Sequence, residues 1–302
     1  MKLKESVIEL YYRMSYWTLP PGFNVGFQHL YQRLHSPNLP PEFRQIFARN
    51  EKFHNIHKGE RCFILATGPS INNQNLMPLK NEKCIAVGGF FLHKDVREIS
   101  PMYHVEAPSH EPFHMEASKM CFEGYRDHYS EKTTIFLGHR PYEYSYFNFL
   151  QQNPEFKNDN IHFLNYTGPA LDEHNYKNPD IWDITKPLFG CGTVVYCAIQ
   201  LAVYMGFKEI YLLGCDHDYL NDIFRVTNHH FYKEEDGVSD VQHLSAFTTE
   251  RWLEVYYFRW KQYRLMNEFL QSNSIYIFNA TDGGMLDVFP RVKFEEIISR
   301  GM

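Results

Sequence analysis

Gly190-Cys191-Gly192-Thr193-Val194-Val195-Tyr196-Cys197-Ala198-Ile199-Gln200-Leu201-Ala202-Val203-Tyr204-Met205-Gly206-Phe207-Lys208-Glu209-Ile210-Tyr211-Leu212-Leu213-Gly214-Cys215-Asp216-His217-Asp218 is the stretch from which the fold can be read. The small residues at its start open a helix that runs to about Met205. Gly206 ends that helix, since glycine accepts the left-handed backbone of a helix terminus. Ile210 to Gly214 is then a short strand, and Cys215-Asp216-His217-Asp218 falls at its carboxyl end, where ligands of open α/β sheets bind. The apolar run from Gly192 to Phe207 is shorter than the roughly 20 residues needed to cross a bilayer. It also carries Gln200 near its middle, so it reads as a buried helix.

The same grammar recurs on the amino-terminal side. Cys62 to Ala66 is an apolar run closed by Thr67-Gly68-Pro69-Ser70, the pattern of a buried parallel strand entering a loop and helix. Further runs stand at Cys84–Val87, Met102–Val105, Thr134–Leu137 and Ile161–Leu164, with a last one at Ile275–Phe278 after a helical stretch over Glu250–Gln271. Strands separated by helical connections predict an α/β, Rossmann-like, doubly wound and mostly parallel sheet. Residues 1–58, interrupted by Leu19-Pro20-Pro21-Gly22 and Ser36-Pro37-Asn38-Leu39-Pro40-Pro41, read as an N-terminal helical appendage, leaving 59–302 as the main domain.

Composition narrows the function. With 30 Lys+Arg against 36 Asp+Glu the net charge is −6, which argues against a non-specific nucleic-acid binder. At 44% hydrophobic residues the chain has ample material for a core. The six cysteines contain no Cys-x-x-Cys pair and read as buried free thiols. Met1-Lys2-Leu3-Lys4-Glu5 lacks the apolar core of a secretory signal, so a cytoplasmic location is expected.

Four groups of residues carry candidate chemistry. Gly68 lets the backbone approach an anion, and Ser70 can cap the next helix and donate to a phosphate, with the amides of Asn72, Asn73 and Asn75 close behind; a plain turn explains the same residues. Gly192 and Thr193 precede the most apolar helix, whose amino terminus favours an anion. Asp216 and Asp218 form an Asp-x-Asp that could hold a divalent cation, with capping roles as the alternative. His229, His230, Tyr232 and His243 offer a base and phosphate-binding hydroxyls. His110-Glu111-Pro112-Phe113-His114 spells a zinc-protease string, but Pro112 would break the helix that chemistry requires. Asn279 to Leu286 adds a Gly-rich turn after the last strand.

Taken together, Ile64–Ser70, the Gly190–Thr193 helix start, Gly206–Asp216 and Asn279–Gly284 resemble the MptE-like domain superfamily, which includes the motility-accessory-factor flagellin glycosyltransferases. They also resemble the bacterial sialyltransferases of glycosyltransferase family 42. The resemblance covers roughly residues 59 to 290. It implies a CMP-activated nonulosonic acid donor held by Gly68, Pro69 and Ser70. It further implies Cys191, Gly192 and Thr193 at the donor carboxylate or phosphate, Tyr219 or Tyr232 at the leaving phosphate, and His243, with His230 as rival, as base. This chain departs at Thr67, where those sialyltransferases carry an asparagine, and at Asp216-His217-Asp218, where one acid followed by aromatics is usual.

The resulting expectation is a cytoplasmic glycosyltransferase with a CMP-sugar donor and a glycan acceptor, no nucleic acid partner and no required cofactor, acting on a lipopolysaccharide or capsule precursor, with a place at the inner face of the membrane left open. Peripheral membrane contact and homo-oligomer formation stay open. The alternatives are a diphosphokinase using Mg2+ through Asp216 and Asp218, and a non-catalytic nucleotide-binding module.

Overall fold

The computed structural model describes residues 41–109, 115–190, 192–222, 229–233 and 248–300. Seven strands form one sheet: β1 (Arg61–Leu65), β2 (Cys84–Val87), β3 (Tyr103–Glu106), β4 (Thr134–His139), β5 (Ile161–Asn165), β6 (Glu209–Leu213) and β7 (Tyr276–Asn279). Their order is β5-β4-β3-β2-β1-β6-β7, and every neighbouring pair is parallel. The chain therefore winds outward from β1 to β5, returns to lay β6 against the free edge of β1, and ends at β7. The reversal between β1 and β6 is a topological switch point, which leaves a crevice beyond their carboxyl ends.

Among the described residues seven α-helices accompany the strands: α1 (Pro41–Ala48), α2 (Val96–Ile99), α3 (Met115–His128), α4 (Tyr146–Gln152), α5 (Val194–Met205), α6 (Thr249–Ser272) and α7 (Phe294–Ser299). The strands read as continuous apolar runs because both faces of the sheet are covered. On β1, Cys62 and Ile64 face a core shared with α5 and α6, while Phe63 and Leu65 face the opposite core with Ile71, Leu79 and Ile297. Helix α5 lies across β1, β2 and β3, and its Val195–Ala202 segment is wholly buried. It ends at Gly206 with φ 91°, as its sequence dictates. Among the described residues no helix is long and apolar enough to cross a membrane. Cys62, Cys84, Cys197 and Cys215 are buried free thiols and Cys121 is a half-buried one.

Two details differ from the sequence reading. The compact unit spans Phe43–Met302 rather than starting at residue 59. Within Phe43–Lys58, Asn50 is buried and donates to the carbonyls of Phe163 (2.8 Å) and Ile184 (3.1 Å), and His57 bonds the Tyr103 hydroxyl (2.7 Å) and stacks on Phe207. The division between the two compact units falls between Glu42 and Phe43. The link from β1 to β2 is also no α-helix: it consists of two short 3-10 turns, Pro69–Asn73 and Met77–Asn81, each with a proline at its start. Ser70 consequently caps nothing; Gly68 occupies the cap position, without a side-chain bond.

Candidate functional site

The carboxyl ends of β1 and β6 are tied to each other residue by residue. Ala66 donates to Leu213 O (2.9 Å), and Gly68 donates to Gly214 O (2.8 Å). A Cβ at Gly68 would sit 2.6 Å from both Gly214 O and the Asp216 carboxyl carbon, so only glycine permits this approach. Gly214 turns the chain out of β6 with φ 66°. Beyond these turns the Asp216 carboxylate accepts from the Ser70 amide (3.0 Å) and from the Ser70 hydroxyl. Asp216 is 7% exposed. Burial pushes its carboxyl above the usual aspartate value, the two Ser70 bonds pull it down, and Asp218 and Asp282 push it up again. The Gly-rich turn after β7 joins from the other side: Met285 donates to Asp216 O (2.7 Å), and Cys215 donates to the Thr281 hydroxyl (3.0 Å).

A second group sits over β1 and β2. Phe231 donates its amide to Thr67 O (2.9 Å), and the Thr67 hydroxyl bonds His230 Nδ1 (2.8 Å). His230 and Tyr232 stack with ring centroids 5.0 Å apart. The Tyr232 ring lies on Gly89, where no side chain stands in its way. When Nδ1–H donates to Thr67, Nε2 keeps the lone pair that a general base needs.

The third group joins α5, α6 and the segment after β6. His217 adopts φ 47° and bonds the Tyr263 hydroxyl (2.8 Å), with burial and then the Arg259 charge holding its pKa down at about 3. It is a neutral peg, not a base, at ordinary pH. Tyr219 stacks on Tyr256 (5.8 Å), and the Arg259 guanidinium lies over Tyr219 (5.1 Å). Arg259 also donates from Nη2 to Gly192 O (3.3 Å), and its own carbonyl accepts from the Tyr196 hydroxyl (2.7 Å). This places Gly192, next to the Thr193 cap of α5, beside Arg259 and Tyr219.

Of the residues singled out from sequence, Gly68, Ser70 and Asp216 meet directly, His230 and Tyr232 pair beside them, and Tyr219 stands with Gly192. Asn72 is exposed and makes no side-chain bond among the described residues, while Asn75 only accepts the Met77 amide (3.2 Å) of its own turn. Pro69 serves the 3-10 turn. Thr193 takes an extended cap backbone without capping α5 through its side chain. His243, Cys191 and the His110–His114 string lie outside the described residues. The Asp-x-Asp does not converge on one point: Asp216 faces Ser70, whereas Asp218 faces His229 (3.5 Å), because His217 turns the backbone left-handed between them. Among the described residues no group of three His, Cys, Asp or Glu side chains could hold a metal ion by itself. Two grooves, one beside β5 lined by Arg49, Lys157 and His162 and one lined by Glu51, His54 and Tyr204, include none of these rim residues. Sequence reading missed Gly89 and Arg259. Gly89 is betrayed only by the ring it admits, and Arg259 looks like any charged position on an amphipathic helix.

A family model described as "6-hydroxymethylpterin diphosphokinase MptE-like" matches residues 38–222. The chain belongs to the MptE-like family. A comparison with curated proteins gives no match. Among solved structures, this MptE-like chain is similar to the sialyltransferase CST-II in complex with trisaccharide acceptor and CMP, at 14% identity over 77% of this chain and 86% of that one, with a TM-score of 0.43. It is similar to CstII from Campylobacter jejuni in complex with cytidine-5'-monophosphate at 15% identity over 78% and 85%, TM-score 0.42. The monofunctional alpha-2,3-sialyltransferase Cst-I from Campylobacter jejuni matches at 18% identity over 77% and 80%, TM-score 0.42.

Proposed function

We propose that this MptE-like protein is a glycosyltransferase that moves a sialic-acid-like nonulosonic acid from a CMP donor to a hydroxyl of a cell-surface glycan precursor. The observation that carries the reading is the Thr67–His230 pair, which holds an imidazole on the first loop of the switch point beside the Gly68–Ser70 turn. In the reaction the bond between the anomeric carbon and the phosphate oxygen breaks, the electron pair leaves with CMP, and the acceptor oxygen bonds the anomeric carbon as it gives its proton to the base. His230 is assigned that role, with His243 as its rival. Positive charge grows on the sugar and negative charge on the phosphate, so donors preorganised at the phosphate give the largest gain. The Tyr219 and Tyr232 hydroxyls and the amides ahead of α5 are the groups assigned to it. General-base assistance contributes about 10²–10⁴-fold, so His230→Ala is expected to lose activity on that scale while staying folded.

The description of the matched family favours a second reading, diphosphoryl transfer from a nucleoside triphosphate. That chemistry calls for magnesium, which Asp216 or Asp218 would hold together with the phosphates of the triphosphate. Thermal-shift measurements with CMP, UDP, GDP and ATP, each with Mg2+ and with chelator, separate the readings. The transferase reading expects stabilisation by CMP in chelator. Stabilisation by a triphosphate with Mg2+ alone overturns it, and no response to any nucleotide points to a non-catalytic module.

A further inference from the structure

The Arg259 guanidinium is a cation without a matching anion. Among the described residues it forms no ion pair, and its Nε and Nη1 groups are shielded from solvent without meeting an acceptor. Three acids of the rim have other partners: Asp216 has Ser70, Asp218 has His229, and Asp287 has Trp260 (2.9 Å). An unmet buried N–H is destabilising, and more so when the group is charged. Such a group calls for a partner that the described residues do not supply.

The guanidinium is also held in place. Its backbone carbonyl receives the Tyr196 hydroxyl of α5, Tyr219 lies under it at 5.1 Å and Tyr256 at 6.0 Å, and Nη2 reaches Gly192 O in the turn leading into α5. The cation therefore stands beside the amino terminus of a buried 12-residue helix. Two rings restrain it, and it has planar donors to spare. Arginine in that setting favours oxyanions with two or three oxygens.

We infer that Arg259 binds the phosphate of the nucleotide and thereby makes this protein select nucleotides over nucleosides. The inference deepens the CMP-donor reading and rests on it. Isothermal titration of the full chain with CMP and with cytidine provides the test, using the native protein, Arg259→Gln and Arg259→Lys. The native protein is expected to bind CMP at least tenfold tighter than cytidine. Arg259→Gln should lose most of that margin with its cytidine affinity unchanged, and Arg259→Lys should keep part of it. A role in folding alone would weaken both ligands together.

An unchanged CMP-to-cytidine margin in Arg259→Gln overturns the assignment. Should that variant fail to fold, Arg259→Lys decides: a margin shortened threefold or more supports the inference, and an intact one overturns it. Native protein that binds both ligands equally overturns the role of Arg259 but leaves the CMP reading standing, whereas native protein that binds neither removes both. A loss seen only with a CMP-sugar, and not with CMP, moves Arg259 to the sugar carboxylate and overturns the phosphate contact.

Discussion

Gly89→Ala separates the shape of the proposed site from the stability of the fold. A Cβ built on Gly89 lies 2.6 Å from the Tyr232 hydroxyl oxygen and closer still to the ring. Ordinary contacts between such atoms are about 3.5–4.0 Å, so the ring must retreat by roughly 1 Å. Tyr232 stacks on His230, so the imidazole shifts with it or loses its support. The displaced atoms are the outer end of a side chain on the rim, and Gly89 has no left-handed backbone to protect. The stability cost should stay below about 1 kcal/mol, or less than ~4 °C in Tm for a protein of this size. A misplacement of about 1 Å in a catalytic constellation costs on the order of 10²-fold in rate. Release of CMP from a CMP-sugar, measured beside thermal unfolding, should therefore show a variant that is folded and nearly inactive. Full turnover in folded Gly89→Ala would refute the placement of His230 and Tyr232 at the reacting centre.

Thr67→Val keeps the volume but removes the hydroxyl at His230 Nδ1. Its kcat should fall about tenfold and return in Thr67→Ser; equal kcat in the valine variant would remove Thr67 from the mechanism. His139 is buried, with its pKa pushed down to about 4, against an ordinary value near 6.5. Between those values the unfolded chain binds a proton that the fold refuses, so this contribution to stability is intact above pH ~6.5 and is lost as pH falls toward 4, at about 1.4 kcal/mol per pH unit. His139→Phe, in urea titrations across that range, should flatten the pH slope by this amount, and an undiminished slope would contradict the assignment. Asn50→Ala strips two buried carbonyls of their donor and should lower unfolding free energy by about 2–3 kcal/mol; a loss under 0.5 kcal/mol (~1–2 °C in Tm) would show that Phe43–Lys58 is not integral to the unit.

Much of the architecture was legible because buried parallel strands and a buried helix leave blunt signatures. All seven apolar runs became strands, and Gly206 ended α5 where its lack of a Cβ allows φ 91°. The rim was legible only as a set of separate loops. That Ser70 would spend both its donors on Asp216 could not be read, since the two lie 146 positions apart and either could equally face solvent. The separate partners of Asp216 and Asp218 could not be read, because alternation along a strand brings i and i+2 to one side, whereas His217 leaves the strand conformation between them. The role of residues 43–58 could not be read from composition, since it rests on the Asn50 and His57 side chains, which satisfy groups inside the core.

The position of β1 in the sheet also bears on how the molecule is made. Phe63 pairs with Cys84 on one side and with Tyr211 on the other, so one neighbour is local and the other is nearly half the chain away. During synthesis β1 to β5 can zip together early, while the inner edge of β1 waits for the β6 segment to emerge. Closing so long a loop gives a slow, entropically opposed step. Any product truncated before residue 209 leaves β1 as an uncovered edge and lacks the Asp216, Tyr219 and His230 side of the site.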